Sequence, residues 1–158
     1  MKQAGLTLIE LLVSLVILSL LAGAALPFAE KTVQRERELE LHRALREVRT
    51  AIDRFHKDWK LGKLSRVDSV ASEDGYPSSL AVLVDGVPRA GSVDRREKYL
   101  RRIPRDPFAD GSLAAGEQWH LIGYQDPPDA VQSNGRDVYD IRSKSERKAL
   151  DGSRYRDW

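Results

Sequence analysis

The chain has 158 residues, 32% of them charged, with 26 Lys and Arg against 24 Asp and Glu for a formal net charge of +2. That length holds one modest domain plus an N-terminal segment. The balance of charge gives no basis for nucleic-acid binding, and the absence of cysteine excludes disulfides and thiol catalysis. After the short start Met1-Lys2-Gln3-Ala4-Gly5, an apolar run extends from Leu6 to Leu26, long enough to cross a bilayer as one helix. A single carboxylate, Glu10, interrupts it. A charge at the centre of a membrane helix costs about 2.5–3.5 kcal/mol on insertion scales, and less near its end. An acid in this position is therefore expected to have a function and a partner. At headgroup depth it would instead be ordinary N-terminal polarity.

Pro27 follows the run, one turn after Gly23. A proline inside a helix removes a backbone hydrogen bond and kinks or breaks it. Gly23 and Pro27 thus mark either a bend or the end of the membrane helix. From Phe28 to Lys60 the sequence is rich in charge, yet Leu41, Leu45, Val48, Ile52, Phe55 and Trp59 recur at alternating spacings of four and three. That is one apolar stripe on an α-helix. The Arg, Glu and Asp residues between them read as a solvated face, with four-residue pairs worth tenths of a kcal/mol each. The expected picture is one long helix, its first half in lipid and its second half packed on a domain.

Leu61-Gly62-Lys63 reads as the helix end, with Gly62 in the left-handed cap position. Lys63 to Asp74 is polar and weakly periodic, a connecting loop. Pro77 is placed to start a short helix over Ser78 to Val84, which Asp85-Gly86 ends. Val87 to Arg95 reads as loop, Tyr99-Leu100 as a docking point on the core, and Arg101 to Phe108 as an extended segment punctuated by proline. Trp119 to Tyr124 alternates as a strand, and Val138 to Ile141 is a second strand candidate. The connection between them, Gln125 to Asp137, is long enough to have a role of its own. The aromatics Phe55, Trp59, Tyr76, Tyr99, Phe108, Trp119, Tyr124 and Tyr139 are expected in the core, since a domain this small must bury most of its large side chains.

Enzymatic chemistry finds little support. His42, His56 and His120 have no second ligand at metal-binding spacing, and zinc needs three or four. Ser78-Ser79 lacks a nucleophile-elbow context. Asp126 and Asp129 flank Pro127-Pro128, which favours turn chemistry over acid–base catalysis. The chain is read as a non-enzyme.

A short leader with one Lys, then Gly5, then Leu6-Thr7-Leu8-Ile9-Glu10 and a long apolar run, resembles the leader of type IV pilins. The resemblance implies cleavage by a prepilin peptidase between Gly5 and Leu6, N-methylation of the new Leu6 amino terminus, and a role for Glu10 in assembly. The first mature residue of that family is most often Phe, where this chain has Leu6. The new ammonium group and the Glu10 of a neighbouring subunit are each uncomfortable alone among apolar side chains, so pairing favours a staggered stack. Farther along, Asp74-Gly-Tyr-Pro-Ser-Ser-Leu80, Tyr99-Leu100, Ile103-Pro-Arg-Asp-Pro-Phe108 and Asp137-Val-Tyr-Asp-Ile141 through Trp158 resemble G-type major pseudopilins of type II secretion systems. That resemblance spans nearly the whole chain. It implies an α+β, type IV pilin-like fold: a leader over 1–5, a transmembrane and polymerisation helix over 6–27, an amphipathic helix over 28–60, and a small C-terminal domain over 61–158 with a short antiparallel sheet. It further implies a single-pass inner-membrane protein with its domain in the periplasm. The partners implied are further copies of the chain in a helical filament, minor pseudopilins, the prepilin peptidase, and an inner-membrane assembly platform with its ATPase.

The chain departs from that family in two places. Ala109-Asp110-Gly111 follows Asp106-Pro107-Phe108 where the family continues Gly-Asn-Pro, and the loop that holds calcium in family members is Arg142 to Lys148. Calcium takes six to eight oxygens and several negative charges. Arg142, Lys144, Arg147 and Lys148 oppose that, with Lys144 and Glu146 forming local pairs in the ion's stead. No cofactor is expected. Asp140, Ser145 and Asp151 are the oxygens left to a calcium ion if the basic side chains turn outward.

Other readings of the N-terminus are a secretory signal cut after Ala22-Gly23-Ala24 and a plain uncleaved anchor. Either would leave a binding module that does not polymerise. Counting basic residues alone (Lys2 before the run, Lys31, Arg35 and Arg37 after it) would place the C-terminal side in the cytoplasm. The leader places it outside, and it accounts for Gly5 and Glu10 together. A type IV pilin or minor pilin for adhesion, motility or DNA uptake is the alternative within the same superfamily.

Overall fold

The computed structural model describes residues 7–66, 70–127, 130 and 133–158. The chain forms two compact units, one running to Glu36 and one from Arg37 to Trp158. Helix α1, Leu8–Lys60, contributes to both. Pro27 lies inside α1 and so does not end it.

In the second unit α1 buries the expected stripe. Leu41, Val48 and Phe55 are wholly buried, with Leu45 and Ile52 nearly so, and Ala44 and Ala51 lie beside them. Small alanines there let neighbouring segments approach the helix closely. Trp59 is only partly buried at the stripe's end. The helix terminates as its residues dictate. Gly62 adopts φ +66°, its N–H donates to Trp59 O at 2.9 Å, and the Lys63 N–H donates to Asp58 O at 3.0 Å. This is a Schellman closure, which satisfies carbonyls that the helix leaves free.

Helix α2, Leu80–Asp85, buries Leu80 and Leu83 against α1 and stops at Gly86, φ +81°. Its first turn begins after Ser78-Ser79, since Ser79 is fully extended. The stretch expected to be loop, Val87 to Arg95, instead forms a hairpin. Strand β1, Val87–Arg89, pairs antiparallel with β2, Ser92–Glu97, around Ala90-Gly91, with an irregularity between Pro88 and Arg89. The other edge of β1 is used too: Ser65 N–H donates to Pro88 O and Ala90 N–H to Lys63 O, both at 2.8 Å. Part of the expected connecting loop is therefore strand-like, and it buries Leu64. Pro88 and Gly91 masked the hairpin. In β1 only Val87 is buried, so no alternation of apolar residues marks the strand.

Strand β3, Trp119–Ile122, follows a short 3-10 turn at Ala115–Gln118 and pairs antiparallel with β4, Asp140–Ser143. In register Trp119 faces Ser143 and Leu121 faces Ile141. The second strand begins two residues later than its apolar pattern suggests. Val138 N–H is turned to Pro77 O at 2.8 Å, leaving the ladder to begin with Asp140. Buried Asp106 fastens the extended segment to this sheet. Its carboxylate accepts from Ser143 Oγ at 2.6 Å and from Phe108 N–H at 2.8 Å, while Trp119 Nε1 donates to Pro104 O at 2.9 Å. Among the described residues no buried side-chain nitrogen or oxygen lacks a partner. Of the expected core aromatics, Trp59 and Phe108 are only partly buried and two are exposed: Tyr124 is 50% and Tyr139 46% exposed, and both lie against Tyr76, which stacks on His56 at 4.0 Å.

Two predictions concern this packing. Gly75 has φ +83°, and a Cβ there would run into the Trp59 indole. Gly75→Ala is expected to destabilise the domain by at least ~1–2 kcal/mol, while Gly111→Ala, with open space around it, changes stability little; thermal unfolding by circular dichroism compares them. At the end of α1, Asp58 accepts from Lys63 Nζ at 2.9 Å and Tyr99 Oη at 3.1 Å. Burial raises its pKa, but those hydrogen bonds outweigh it and hold the carboxyl below its ordinary 3.8. Burial and the Asp58 charge push the Tyr99 phenol up. A depressed acid stabilises the fold above its unfolded pKa and loses that contribution as pH falls. The stability gap between wild type and Asp58→Asn should be full at pH 7 and close between about pH 5 and pH 2. A gap constant over that range would exclude the linkage.

Candidate functional site

Within the first unit the apolar residues of α1 are exposed on every side, from Leu8 at 81% through Leu12 at 49% to Leu21 at 63%. A helix apolar all round belongs in lipid or among other such helices. The helix is long and apolar enough to cross a membrane. Its polar side chains are handled locally. Ser14 Oγ donates to Glu10 O and Ser19 Oγ to Leu15 O, each at 2.8 Å, which pairs both seryl protons within the helix. Thr7 stands at the N-cap, and its Oγ1 accepts the Glu10 N–H at 3.3 Å.

Glu10 therefore occupies the third position of the first turn, where a negative charge meets the positive end of the helix dipole. Among the described residues its carboxylate has no hydrogen bond or ion pair, and it is exposed. The backbone thus presents an acid with a mildly favourable local field and an open side. Gly5 and Leu6, the expected cleavage pair, lie outside the described residues. Gly23 is in α1 with open space where a side chain would stand. Pro27 is in α1 as well.

The residues expected to offer oxygens to calcium each have partners of their own. Asp140 faces α1, with Arg49 Nε at 2.7 Å from one oxygen and Arg49 Nη2 at 3.4 Å from the other. Ser145 Oγ accepts the Arg147 N–H at 3.4 Å. Asp151 is bound by Ser153 Oγ at 2.6 Å and its N–H at 2.9 Å, and these bonds hold its carboxyl below the ordinary range. Among the described residues no three acids or histidines form a metal-holding group. A guanidinium fills the coordination face of the one carboxylate in the strand, so this donor set does not fit a calcium ion. The local pairs also differ from expectation: Lys144 Nζ donates to Glu117 O, and Glu146 pairs with Arg156 at 2.7 Å.

The long connection is held by turn chemistry. Asp126 accepts the Gly123 N–H at 2.7 Å and the Asn134 N–H, and the Gly123 bond is the chief cause holding its carboxyl low. Asp137 accepts the Tyr124 N–H at 2.9 Å. Asp129 lies outside the described residues. Sequence reasoning missed Glu38 and Arg49, which it assigned to the solvated face. Their one sequence signal is position: both lie on the flank of the apolar stripe, with His42 between them.

Residues 1–26 match the prokaryotic N-terminal methylation motif. The N-terminus is thus of the kind processed by prepilin peptidase, and it leads into a long apolar helix followed by a small α+β domain, an arrangement consistent with a pilin-like fold. No curated protein and no solved structure matches the chain.

Glu10→Ala is expected to insert into membranes as wild type does, since it removes a charge from an apolar helix, but to form no filaments. Membrane fractionation and electron microscopy of sheared material report the two properties. Normal filaments from this variant would show that the carboxylate is not an assembly contact.

Proposed function

We propose that this chain is a pseudopilin: a structural subunit that is cut between Gly5 and Leu6, methylated at Leu6, and polymerised into a periplasmic filament that drives folded proteins out through a type II secretion system. The observation that carries the proposal is the methylation motif over residues 1–26, within which the described apolar residues Leu8 to Leu21 are exposed on every side of the helix and the Glu10 carboxylate has no partner among the described residues. Such a helix leaves lipid for a bundle of its own kind at little cost, because both surroundings are apolar. The Leu6 amine of one subunit and the Glu10 carboxylate of the next set the stagger between them. Head-to-tail contacts of this sort do not close, so they extend into a filament. The energy for extraction is supplied by a partner ATPase, and minor pseudopilins and the assembly platform are the remaining partners of this reading. The order of Asp74 to Leu80, Tyr99-Leu100 and Ile103 to Phe108 after the leader supports a pseudopilin over a surface pilus.

Two measurements test it. Mass spectrometry of the purified membrane protein should find a methylated Leu6 as first residue. An intact Met1, or a start at Ala25, overturns processing and with it polymerisation. Deletion of the gene should then abolish appearance of folded exoproteins in the medium while leaving surface pili in place. Loss of surface pili with unchanged secretion would move the chain to the type IV pili.

A further inference from the structure

The segment after β4 is built around contacts with α1. Glu38 Oε1 accepts the Leu150 N–H and the Tyr155 hydroxyl, both at 2.8 Å. The His42 ring stacks on Trp158 at 4.2 Å with 10° between planes. Arg49 reaches Asp140 and, through Nη2, the carbonyls of Ile141 and Trp158 at 3.0 Å each. Tyr155 is fully buried and stacks on Phe108 at 3.9 Å, and the Arg147 guanidinium lies over the same Phe108 ring at 5.6 Å. The segment's own backbone is closed as well. Ser153 O accepts from Ala149 N–H, Ala149 O from Gly152 N–H, and Arg147 O from Tyr155 N–H, so these carbonyls are already used inside the turn.

We infer that residues 144–158 are held in place by a clamp of α1 side chains, Glu38, His42 and Arg49, and that this clamp does the work a calcium ion does in the family the chain resembles. The charge arithmetic supports it. Arg49 supplies one positive charge at the strand carboxylate where a divalent cation would supply two, and the basic residues of the following turn would repel a cation. Arg49 also offers several donors in a fixed plane, which suits one carboxylate and two carbonyls together. The comparison with calcium rests on the pseudopilin reading, while the clamp rests on its own geometry.

Hydrogen exchange of residues 144–158 in the full chain in detergent micelles tests the clamp. Excess EDTA or added calcium chloride should each change exchange there by less than about twofold. A bound ion at a hundred times its dissociation constant would slow exchange about a hundredfold, so a large acceleration by EDTA, reversed by calcium, overturns the inference. Arg49→Met and Glu38→Ala should each speed exchange in this segment about tenfold or more, and Arg43→Met, an exposed neighbour outside the clamp, should not. Wild-type protection in both clamp variants also overturns it. Should Arg49→Met unfold altogether, Glu38→Ala and the EDTA arm still decide. Neither readout needs filaments or secretion, so a failure here is separate from a failure of the pseudopilin reading.

Discussion

Burial of the stripe from Leu41 to Trp59 is the constraint on which the second unit depends. Among the described residues the remaining regular structure is two two-stranded sheets, one six-residue helix and two short 3-10 turns. An isolated two-stranded hairpin is marginal in water, and a six-residue helix is far below the length that is stable alone. Each places an apolar residue in the cluster to which α1 contributes its stripe: Leu83 from α2, Val87 from β1, Ile141 from β4, and Tyr155 from the segment that follows, all wholly buried in one cluster with Leu41, Val48 and Phe55. The helix is thus not an appendage of a domain. It is the larger part of the surface on which the domain condenses.

Apolar burial fixes which face of a strand turns inward, and polar anchors add pairwise specificity to it. Asp106 ties the extended segment to Ser143 of β4, and Arg49 ties β4 and Trp158 to α1. Each anchor is satisfied on several sides, which matters more than its net contribution. A hydrogen bond adds about 0.5–1.5 kcal/mol net, but a buried group left unpaired costs more than that. A slip of one residue in β4 would leave Asp106 and the guanidinium facing the wrong partners. In a chain without cysteine, this network does the fastening that disulfides do elsewhere.

The parts legible in the sequence are those where one physical signal stands alone. The stripe on α1 has a clean helical period, and Gly62 sits where only a left-handed residue closes the helix, so both emerge in the structure as read. The β1–β2 hairpin was illegible because, among its described side chains, it buries only Val87. Backbone hydrogen bonds to residues 63–65 hold it, and these leave no mark on side-chain pattern. Glu38 and Arg49 were read as solvated because a charged residue on the flank of a helical stripe looks the same whether it faces water or a segment a hundred residues away. The partners that distinguish the two cases, Leu150, Tyr155 and Asp140, are set by tertiary structure. The exposure of Tyr124 and Tyr139 has the same origin: the loop that bears Tyr124 is pinned outward by Asp126 and Asp137.

The first unit obeys a different logic. Its described leucines and isoleucines, Leu8 to Leu21, are exposed on all sides, and two environments suit them equally well: hydrocarbon, and a sheath of identical helices. Apolar area does not discriminate between them, because lipid tails are as apolar as leucine. Ser14 and Ser19 do not discriminate either, since each has already spent its proton on the preceding turn. Only Glu10 tells the two apart. In lipid its carboxylate has the helix dipole for support and nothing more. Beside a second chain it has in reach whatever cation that chain presents at the same depth, and leader cleavage is the one step that would create such a cation within the apolar run. On the pseudopilin reading, an acid whose carboxylate has no partner of its own among the described residues is what converts an anchor into a subunit.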